Sequence, residues 1–308
     1  MKMSRLRPRE GFALIVVLWA LLLLGALAAA FSHSMRTEAE AARNGLDETR
    51  AYFQAYSGIH RAMALLSTLP ADNVFSMAIR GSSEDVGYEV ALDSESGKVN
   101  VNLVQEGALL EILRNGGLPA EEAERVRDAI VDWRSPVKAG LDRIPAAGYA
   151  GLPKPIKPRN GPFRSVEELK SVLGVTPGFY RAFLSHVFTV AGGGPIDVNR
   201  ASETVLRALP GMTEEAVVAI LAKRQEAPIR DPSQLAALLG QGGTGVPSSA
   251  FSLLAVTAPT VAVTLTATGR SGSVVRAVRC LVSIDGAGKG SVKIVRWVDK
   301  PEMDEEAG

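Results

Sequence analysis

The chain has 308 residues, of which 46% are apolar and 22% are charged. These are ordinary values for a globular protein, and they exclude a disordered chain, a collagen-like chain and a polytopic membrane protein. The formal net charge is +1, so overall charge gives no argument for a nucleic-acid partner or a strongly acidic one. The single cysteine, Cys280, excludes an internal disulfide and a cysteine-rich metal site.

The first distinct element is a run of twenty uncharged residues, 12–31, that follows a leader, residues 1–11, with four basic side chains. As a helix this run spans about 30 Å, which matches the hydrocarbon core of a bilayer, and the basic leader should stay cytoplasmic. We therefore predict a transmembrane helix over residues 12–31 with the remainder exported. Three interpretations stay open: an uncleaved anchor, a secretory signal cleaved near Ala28–Ala30, and a prepilin.

The prepilin interpretation depends on the junction between Gly11 and Phe12. A short basic leader that ends in Gly directly before an apolar helix resembles the type IV prepilins. This resemblance implies that prepilin peptidase cleaves between Gly11 and Phe12, that the amino group of Phe12 is methylated, and that the apolar helix is retained. Typical pilins carry Glu at the fifth mature position, where this chain has Val16. Because a buried carboxylate needs a partner, Val16 indicates a subunit with no neighbour above it to pair with.

Residues 32–103 predict the first part of an exported domain. Helical periodicity continues from Phe31 to Leu66, and Pro70 supplies a stop. We expect the apolar side of this helix to lie against a sheet, and its positions are Met35, Ala39, Ala42, Leu46, Phe53, Tyr56, Ile59, Met63 and Leu66. The alternating segment Tyr88–Leu103, interrupted by DSESG, predicts a β-hairpin.

Residues 104–254 predict an inserted all-α domain, because short helical patterns there are separated by Gly and Pro. One internal repeat relates Pro162-Phe163-Arg164 to Pro228-Ile229-Arg230, 66 residues later. Both copies predict helix starts: Ser165 and Glu168 would form a capping box, and Asp231 would cap a helix whose first residue is Pro232.

A second repeat relates the sequence VNVN, before a helix that ends in Asp132-Trp133-Arg134, to IDVN, before a helix that ends in Lys223-Arg224. Within the second copy, the segment ASETVLRALPGMTEEAVVAILAKR predicts a helix, a Pro-Gly turn and another helix, the pattern of a helix-hairpin-helix.

Residues 255–300 predict three antiparallel strands, VAVTLTATG, VVRAVRCLVSID and SVKIVRWVD, separated by glycine-rich turns. Cys280 lies in the middle strand and is expected to be a core residue. Residues 301–308 are expected to be a flexible tail. The predicted fold class is α+β: a pilin-like long N-terminal helix packed on an antiparallel sheet, with a large inserted all-α domain that contains helix-hairpin-helix-like repeats.

Taken in this order, these segments resemble the minor pseudopilin K family of the type II secretion system. The resemblance rests on the Gly11–Phe12 junction, Val16, SGKVNVN, the Asp132-Trp133-Arg134 triplet, KPRNGPFRSVEELKSVLGV and IDVNRASETVLRALPGM. It implies a subunit at the tip of the pseudopilus that binds minor pseudopilins I and J and helps to initiate assembly. The resemblance also implies an inner-membrane protein with a periplasmic C-terminal domain and no enzymatic activity.

Some members of this family bind calcium in the exported domain, which would make Asp132 and Asp142 the candidate ligands. Calcium takes six to eight oxygen ligands, whereas Asp142 is the only acid in the segment SPVKAGLDRIPAAGY that follows Arg134. No other cofactor is expected. The three histidines, His33, His60 and His186, are isolated from one another and from any acidic cluster at ligand spacing, so none is assigned a catalytic or metal-binding role.

The alternative function is a membrane-anchored helix-hairpin-helix protein for DNA binding or uptake. Such modules hold phosphates with backbone amides at the hairpin and with nearby Lys and Arg. Here residues 196–230 carry five basic and five acidic side chains, and Glu214 and Glu215 stand at the start of the second helix. A neutral module lacks the charge on which phosphate binding depends, so we expect no nucleic-acid partner.

Overall fold

The computed structural model describes residues 10–83, 85–136, 149, 158–240, 252–256, 261–285, 291–299 and 301, with only the backbone of residues 10–13, 71, 72, 261 and 285. The predicted leader up to Arg9, Asp142 and the predicted tail from Glu302 onward lie outside the described residues.

The first element is a helix of 59 residues, α1 (Glu10–Thr68), followed after Pro70 by the short helix α2 (Ala71–Phe75). Every described side chain of α1 before Asp47 is exposed, and one face then becomes buried. That buried face is formed by Ala51, Ala55, Ile59, Ala62 and Leu66. A helix with alanines on this face can lie close to the strands beneath it.

The prediction that one continuous apolar side of α1 faces the sheet is wrong for its first six positions. Met35, Leu46 and Phe53 are 52%, 59% and 57% exposed, and Ala39, Ala42 and Tyr56 are exposed as well. The physical reason is that α1 does not reach the sheet before Asp47 and then turns its alanine-rich face toward it. A side of α1 with large apolar residues is therefore left uncovered.

Five strands form the sheet under α1, in the order β1-β2-β7-β8-β9, with all neighbours antiparallel. Their bounds are β1 (Ile79–Ser83), β2 (Val86–Ser94), β7 (Val261–Ser271), β8 (Val274–Asp285) and β9 (Ser291–Val298). The three predicted C-terminal strands are confirmed as β7, β8 and β9. Alternation places Val263, Leu265 and Ala267 in the core with the buried Cys280 of β8.

The predicted hairpin over Tyr88–Leu103 is wrong. β2 forms a hairpin with β1, whereas the next strand, β3 (Val99–Asn100), pairs in parallel with β4 (Phe188–Thr189) outside the main sheet. A 3₁₀ turn, Glu95–Gly97, separates β2 from β3. A side chain at Gly97 would overlap the backbone of Arg200 and Ala201, so this turn joins the sheet to the helical part of the chain.

Among the described residues, the helical part, which we call the helical block, contains six numbered helices besides the 3₁₀ helix Val166–Ser171. They are α3 (Glu106–Asn115), α4 (Ala120–Arg134), α5, α6 (Glu203–Ala208), α7 (Glu214–Glu226) and α8 (Pro232–Gly240). Three consecutive pieces, Pro177–Phe179, Tyr180–Leu184 and Ser185–Val187, form α5. Two further strands, β5 (Ile196–Asp197) and β6 (Leu254–Ala255), pair in parallel. The predicted helix, turn and helix in residues 201–224 are confirmed by α6 and α7.

Helix starts in the block differ from one another. The Ser202 and Thr213 hydroxyls accept hydrogen bonds from the backbone N–H groups of Val205 and Ala216, and Asp231 accepts from Ser233 N at 2.8 Å. The predicted capping box at Ser165 is wrong: residues Val166–Ser171 form a 3₁₀ helix, and the Ser165 side chain makes no cap hydrogen bond. Glu168 instead accepts from Arg164 N and Arg159, which draws its carboxylate away from the predicted cap.

The two sequence repeats correspond to two copies of one structural arrangement. The side chain of Asn102 donates to the carbonyl of Phe163 at 3.0 Å and accepts from its N–H at 2.8 Å. In the second copy Asn199 makes the same pair of bonds with Ile229, at 2.8 and 2.7 Å. The amide side chains thus bind the repeated Pro-Phe/Ile-Arg segments.

The last arginines of α4 and α7, Arg134 and Arg224, also have equivalent roles in the two copies. Arg134 donates to the carbonyls of Val101 and Val104 at 2.5 and 2.8 Å, and Arg224 donates to the carbonyl of Ala201 at 2.7 Å. Each arginine therefore ties the end of its helix to the segment that follows a short parallel strand. Arg134 of the predicted DWR triplet is a structural residue.

Two separate hydrophobic cores result. One lies between α1 and the sheet, and the other lies inside the helical block. Val99 and Val101 belong to the core of the block, and Leu254 marks its other end. The core of the block therefore extends to residues before the predicted start of the insertion at residue 104.

The block is attached at one end of the sheet. Ser94 at the end of β2 is opposite Val263 near the start of β7. The chain therefore leaves the sheet after β2 and returns to it at β7 at the same end of the strands. The opposite end of β7 lies at the start of the buried face of α1, where Ser271 donates to Asp47 at 2.8 Å. The residues of α1 between Asp47 and Leu66 span about 29 Å. The block is thus joined to the end of the sheet that is farther from the apolar half of α1.

Candidate functional site

The first candidate site is the apolar half of α1. Of the described residues, only this helix is long and apolar enough to cross a membrane; its most apolar 18-residue window has a mean hydropathy of 2.8 and no buried part. Its leucines are 56–75% exposed from Leu14 to Leu27. A surface of this kind is stable in lipid or against other apolar helices.

Gly11, Phe12 and Val16 all lie in this half of α1. The helix begins at Glu10, so the backbone at Gly11 and Phe12 is helical, and cleavage and methylation at this junction stay predictions. Val16 is 51% exposed on the apolar surface. The structure therefore brings the predicted processing position and the position of the missing acid onto the first turns of one helix.

The packed half of α1 is held on the sheet by close contact and by polar bonds. A side chain at Gly269 of β7 would overlap the backbone carbonyl of Ala51 and come within 2.5 Å of Ala55 N. Only Gly lets the helix lie this close to the strand. Arg276 of β8 also forms an ion pair with Glu48. The exposed half of α1 is therefore continuous with a half that packs closely on the sheet.

An aromatic group lies where α1 passes the edge strand β9. Tyr56 contacts the rings of His60 and Trp297 at centroid distances of 4.4 and 5.5 Å. The Tyr52 hydroxyl and Trp297 Nε1 both donate to Asp299 Oδ1, at 3.1 and 2.6 Å. Burial and the hydrogen bond to Asp299 raise the pKa of Tyr52. His60 is thus part of an aromatic contact.

A cleft of about 250 Å³ lies between the far face of the sheet and the helical block. At one end Lys98 donates to Asp93 at 2.5 Å and to Glu95 at 3.1 Å, and the hydroxyl of Thr264 donates to Glu95 at 2.7 Å. Burial lowers the pKa of Lys98, but the charges of Glu95 and Asp93 outweigh it, so the pKa is raised overall.

At the other end of the cleft Arg296 of β9 donates to Glu167 at 2.8 Å. Burial raises the pKa of Glu167, but the hydrogen bond and charge of Arg296 outweigh it, so the pKa is lowered overall. This ion pair connects the sheet to the block. Sequence patterns give no sign of this contact, because the two residues are 129 positions apart and do not belong to the same motif.

Of the two candidate calcium ligands, the structure describes only Asp132. Asp132 is half-buried at the end of α4, next to Trp133, whose ring stacks on Phe163 at 5.9 Å. Within the described residues no three His, Cys, Asp or Glu side chains lie close enough together to hold a metal ion. Calcium takes six to eight oxygen ligands, and Asp142, the second candidate ligand, lies outside the described residues. Calcium binding stays a prediction.

The hairpin between α6 and α7 is arranged for contacts within the protein. Arg207 donates to Glu203 at 2.7 Å and to Glu214 at 2.6 and 2.7 Å. The hydrogen bonds and charges of these carboxylates raise the pKa of Arg207. The guanidinium nearest the start of α7 is therefore engaged by two acids, and this arrangement does not favour phosphate binding.

A helix with an exposed apolar half, whose other half is packed on an antiparallel sheet, defines the fold of the described residues as pilin-like, and the apolar half fits a membrane anchor. Residues 90–192 and residues 196–256 each match the family described as type II secretion system (T2SS), protein K. Together these matches cover more than half of the chain, and they correspond to the two copies in the helical block. The chain belongs to the protein K family of the type II secretion system, the family of minor pseudopilin K.

The fold agrees with this family. The chain is similar to a chain in the crystal structure of the GspK-GspI-GspJ complex from the enterotoxigenic Escherichia coli type 2 secretion system. The TM-score is 0.65 at 14% sequence identity, over 85% of this chain and 100% of that chain. A comparison with curated proteins gives no match. The α+β fold with a long N-terminal helix is confirmed, and none of these comparisons supports the DNA-binding alternative.

Proposed function

We propose that this protein occupies the tip of the type II secretion pseudopilus and helps to initiate its assembly during protein export. In this proposal α1 anchors the chain in the inner membrane, and the sheet and the helical block are in the periplasm. The observation that carries the proposal is the position of the helical block, at the end of the sheet farther from the apolar half of α1.

The argument from position is steric. In a helical filament built from pilin-like subunits, each subunit has another one stacked beyond the membrane-distal end of its sheet. The described part of the block, between Val99 and Val256, fills that end. A subunit with such a block can receive neighbours along its helix but not above its sheet. Only the top of the filament has that arrangement.

The sequence of α1 supports the same position. Val16 replaces the acid that a shaft subunit would use to pair with the amino group of a neighbouring helix, and it lies on the exposed apolar surface. Cleavage between Gly11 and Phe12, with methylation of Phe12, is part of the proposal because the retained helix is the anchor. The intact mass and N-terminal residue of the membrane-extracted protein test it: an N-terminus at Phe12 supports processing, whereas an intact Met1 or an N-terminus at Phe31 contradicts it.

The proposed partners are minor pseudopilins I and J. The similar solved structure is a complex of GspK, GspI and GspJ, and the shared fold makes an equivalent complex the simplest assembly for this chain. The protein would act as a structural subunit without catalytic activity. Co-purification with both partners from detergent-solubilised membranes tests this assembly, and the absence of both would contradict it.

Tip placement is tested by immunogold labelling of overproduced pseudopili with antibodies against the helical block. Label at one end of each filament is expected, with antibodies against the major subunit as a control that marks the whole shaft. Label along the shaft would contradict the proposal. A matched variant, Val16→Glu, should still label only the end, because the block remains in place.

A further inference from the structure

The cleft between the sheet and the helical block continues into a groove beside β9. Val190, Leu281 and Arg296 line both spaces, so the two spaces form one surface. Two more arginines lie on this surface: Arg279 of β8 lines the cleft, and Arg164, just before a 3₁₀ helix of the block, lines the groove. We call the three arginines and the surface between them the arginine path.

Each described acidic side chain that lines these two spaces already has a cation bound to it. These acids are Asp93, Glu95, Glu167 and Glu168. Lys98 forms ion pairs with the first two, Arg296 with the third and Arg159 with the fourth. The carboxylates of the two spaces are therefore neutralised without Arg164 or Arg279.

Arg164 and Arg279 have no acidic partner in the part of the chain that the structure describes. Arg279 Nε donates to the hydroxyl of Thr266 at 3.4 Å, a long hydrogen bond. A guanidinium has five N–H donors in a planar fork that matches a carboxylate, so most of the donors of Arg279 are left for a ligand. Since Arg279 is half-buried in the cleft, a carboxylate bound there would be partly protected from solvent screening.

The chain supplies acidic residues close to this path. Val298, the last residue of β9, is opposite Arg279 in the register of β8 and β9, and it lines the cleft. Beyond Pro301 the sequence continues as EMDEEAG, residues 302–308, with four acids and no basic residue. Seven extended residues span about 23 Å. Arg296 is two register positions from Arg279, about 7 Å along the strands, so the segment is long enough to follow the path.

We propose that residues 302–308 bind along the arginine path as an extended segment whose carboxylates pair with Arg279 and Arg164. The inference concerns the chain by itself and does not depend on the tip position. Three observations select this occupant: the place where β9 ends, the four acids of the segment, and the two arginines without an acidic partner. The bound segment would bridge β8 and the block, where Arg296 already pairs with Glu167, and would hold the two units together.

An acidic segment of another protein would offer the same chemistry, but it would compete with a tethered one. A segment joined to its site by a few residues has an effective concentration on the order of millimolar. The tethered segment is therefore the expected occupant in the purified chain, and binding between two chains is an outcome that the test separates from it.

The test uses the purified full-length chain in detergent, with the photo-crosslinker benzoylphenylalanine in place of Met303. Mass spectrometry of the digested product should locate the adducts at residues that line the cleft or the groove. Isotope-labelled and unlabelled chains are mixed before photolysis, and the adducts are expected within one chain. Adducts that join two chains, adducts spread over surfaces outside the path, or an absence of adducts would overturn the proposal. Protection of the buried Cys280 from alkylation shows that each variant is folded.

Charge variants test the two arginines. The double variant Arg164→Glu, Arg279→Glu should lower the adduct yield about tenfold, because two favourable contacts become repulsive. Lysines at the same two positions keep the charge and should retain most of the yield. The matched control, Arg125→Glu with Arg270→Glu, reverses two exposed arginines that line neither space and should leave the yield unchanged. An equal loss in the control would assign the effect to net charge and overturn the pairing.

A charge swap separates pairing from damage to the fold. The segment variant, in which all four acids become lysines, should lose the adducts, and combining it with Arg164→Glu and Arg279→Glu should restore them. Its substitutions are Glu302→Lys, Asp304→Lys, Glu305→Lys and Glu306→Lys. No recovery in the combined variant would show that the segment and the two arginines do not pair.

Discussion

The sheet unit and the helical block are stabilised in different ways. In the sheet unit β7 and β8 are 11 and 12 residues long, and their backbone groups are satisfied by neighbouring strands over most of their length. In the helical block β3 to β6 have two residues each. Asn102, Asn199 and Arg224 there bind backbone groups that no ladder reaches. Short elements can form a stable core when half-buried side chains supply the missing hydrogen bonds.

This difference predicts that the two units can be weakened separately. Their hydrophobic cores share no residue, and polar contacts such as Arg296–Glu167 join them. Each unit also offers its own probe. Burial raises the pKa of Cys280 to about 11, so its thiol should react only when the sheet unit opens, and hydrogen exchange in α6 and α7 reports on the block.

The largest expected effect is that of Gly269→Ala in the sheet unit. The new methyl group would overlap the carbonyl of Ala51 and press on Ala55 N, and a backbone clash cannot be relieved by a side-chain rotation. We expect a loss of at least about 3 kcal/mol of unfolding free energy in the sheet unit. Alkylation of Cys280 during urea titration of the detergent-solubilised protein measures it.

The matched control is Gly107→Ala in α3, where an added Cβ meets nothing within 4 Å. This change should be neutral or slightly stabilising, since Ala has the higher helix propensity. If Gly269→Ala leaves the alkylation midpoint of Cys280 unchanged, the close approach of α1 to β7 is not what holds the helix. If it unfolds the helical block equally, the two units are not separate.

In the block, Asn199→Ala should have a somewhat smaller effect. It removes three hydrogen bonds: two from Nδ2 to the carbonyls of Ile229 and Val256, and one from Ile229 N to Oδ1. Because Ile229 is fully buried, its backbone groups lose their partner without gaining water, and we expect a cost of about 2–3 kcal/mol. Hydrogen exchange in α6 and α7 should rise, while Cys280 stays protected.

Asn102→Ala tests whether the two copies are equivalent. Asn102 makes the corresponding two bonds with Phe163, so we expect the same direction of effect in α3 and α4 and a cost of about 1–2 kcal/mol. An exposed asparagine, Asn44, serves as the control for the loss of an amide side chain. No change in exchange for either block variant would show that the amide bonds are not what stabilises the short elements.

A smaller effect is expected at the start of α7. The Thr213 hydroxyl accepts a hydrogen bond from Ala216 N at 3.2 Å, and Thr213→Ala should cost about 1 kcal/mol. Thr213→Ser keeps the hydroxyl and should retain most of the stability. Urea titration followed by hydrogen exchange in α7 distinguishes the two variants; equal destabilisation by Ala and Ser would assign the effect to the methyl group instead.

Sequence patterns predicted the long elements and failed at the short ones. β7, β8 and β9 follow from alternation over eight or more residues, and α1 follows from apolar periodicity up to Pro70. The segment VNVN also alternates, but two paired residues carry too little information to specify the partner strand, so β3 was assigned to a hairpin with β2. β1, with the sequence IRGSS, was missed because Gly and Ser weaken a strand pattern.

In the candidate site, too, the residues that belong to local sequence patterns were predicted and those that make long-range contacts were not. Gly11, Phe12 and Val16 could be selected because each follows a local pattern in the leader and helix. Asn102 and Asn199 could have been selected from the internal repeat, since they occupy its equivalent positions. Their hydrogen bonds are seen only in the structure. Glu167 and Arg296 could not be predicted, because a contact between distant residues without a shared motif depends on how the block is seated on the sheet.

The smallest expected effect is at this contact between the two units. The Glu167 and Arg296 side chains are 43% and 39% exposed, so solvent screens their charges, and a double-mutant cycle with Glu167→Gln and Arg296→Gln should give a coupling of about 0.5 kcal/mol at neutral pH. The pKa of Glu167 is lowered in the folded protein from its ordinary value of 4.5. The unfolded chain therefore binds the proton more tightly, and this contribution to stability is present above pH 4.5 and is lost as the pH falls through the lowered pKa. We expect the coupling measured by urea titration to approach zero on acidification into that range, while the effect of Asn199→Ala persists because an amide does not titrate. A coupling that stays constant down to pH 3 would show that the ion pair is not what joins the sheet unit to the helical block.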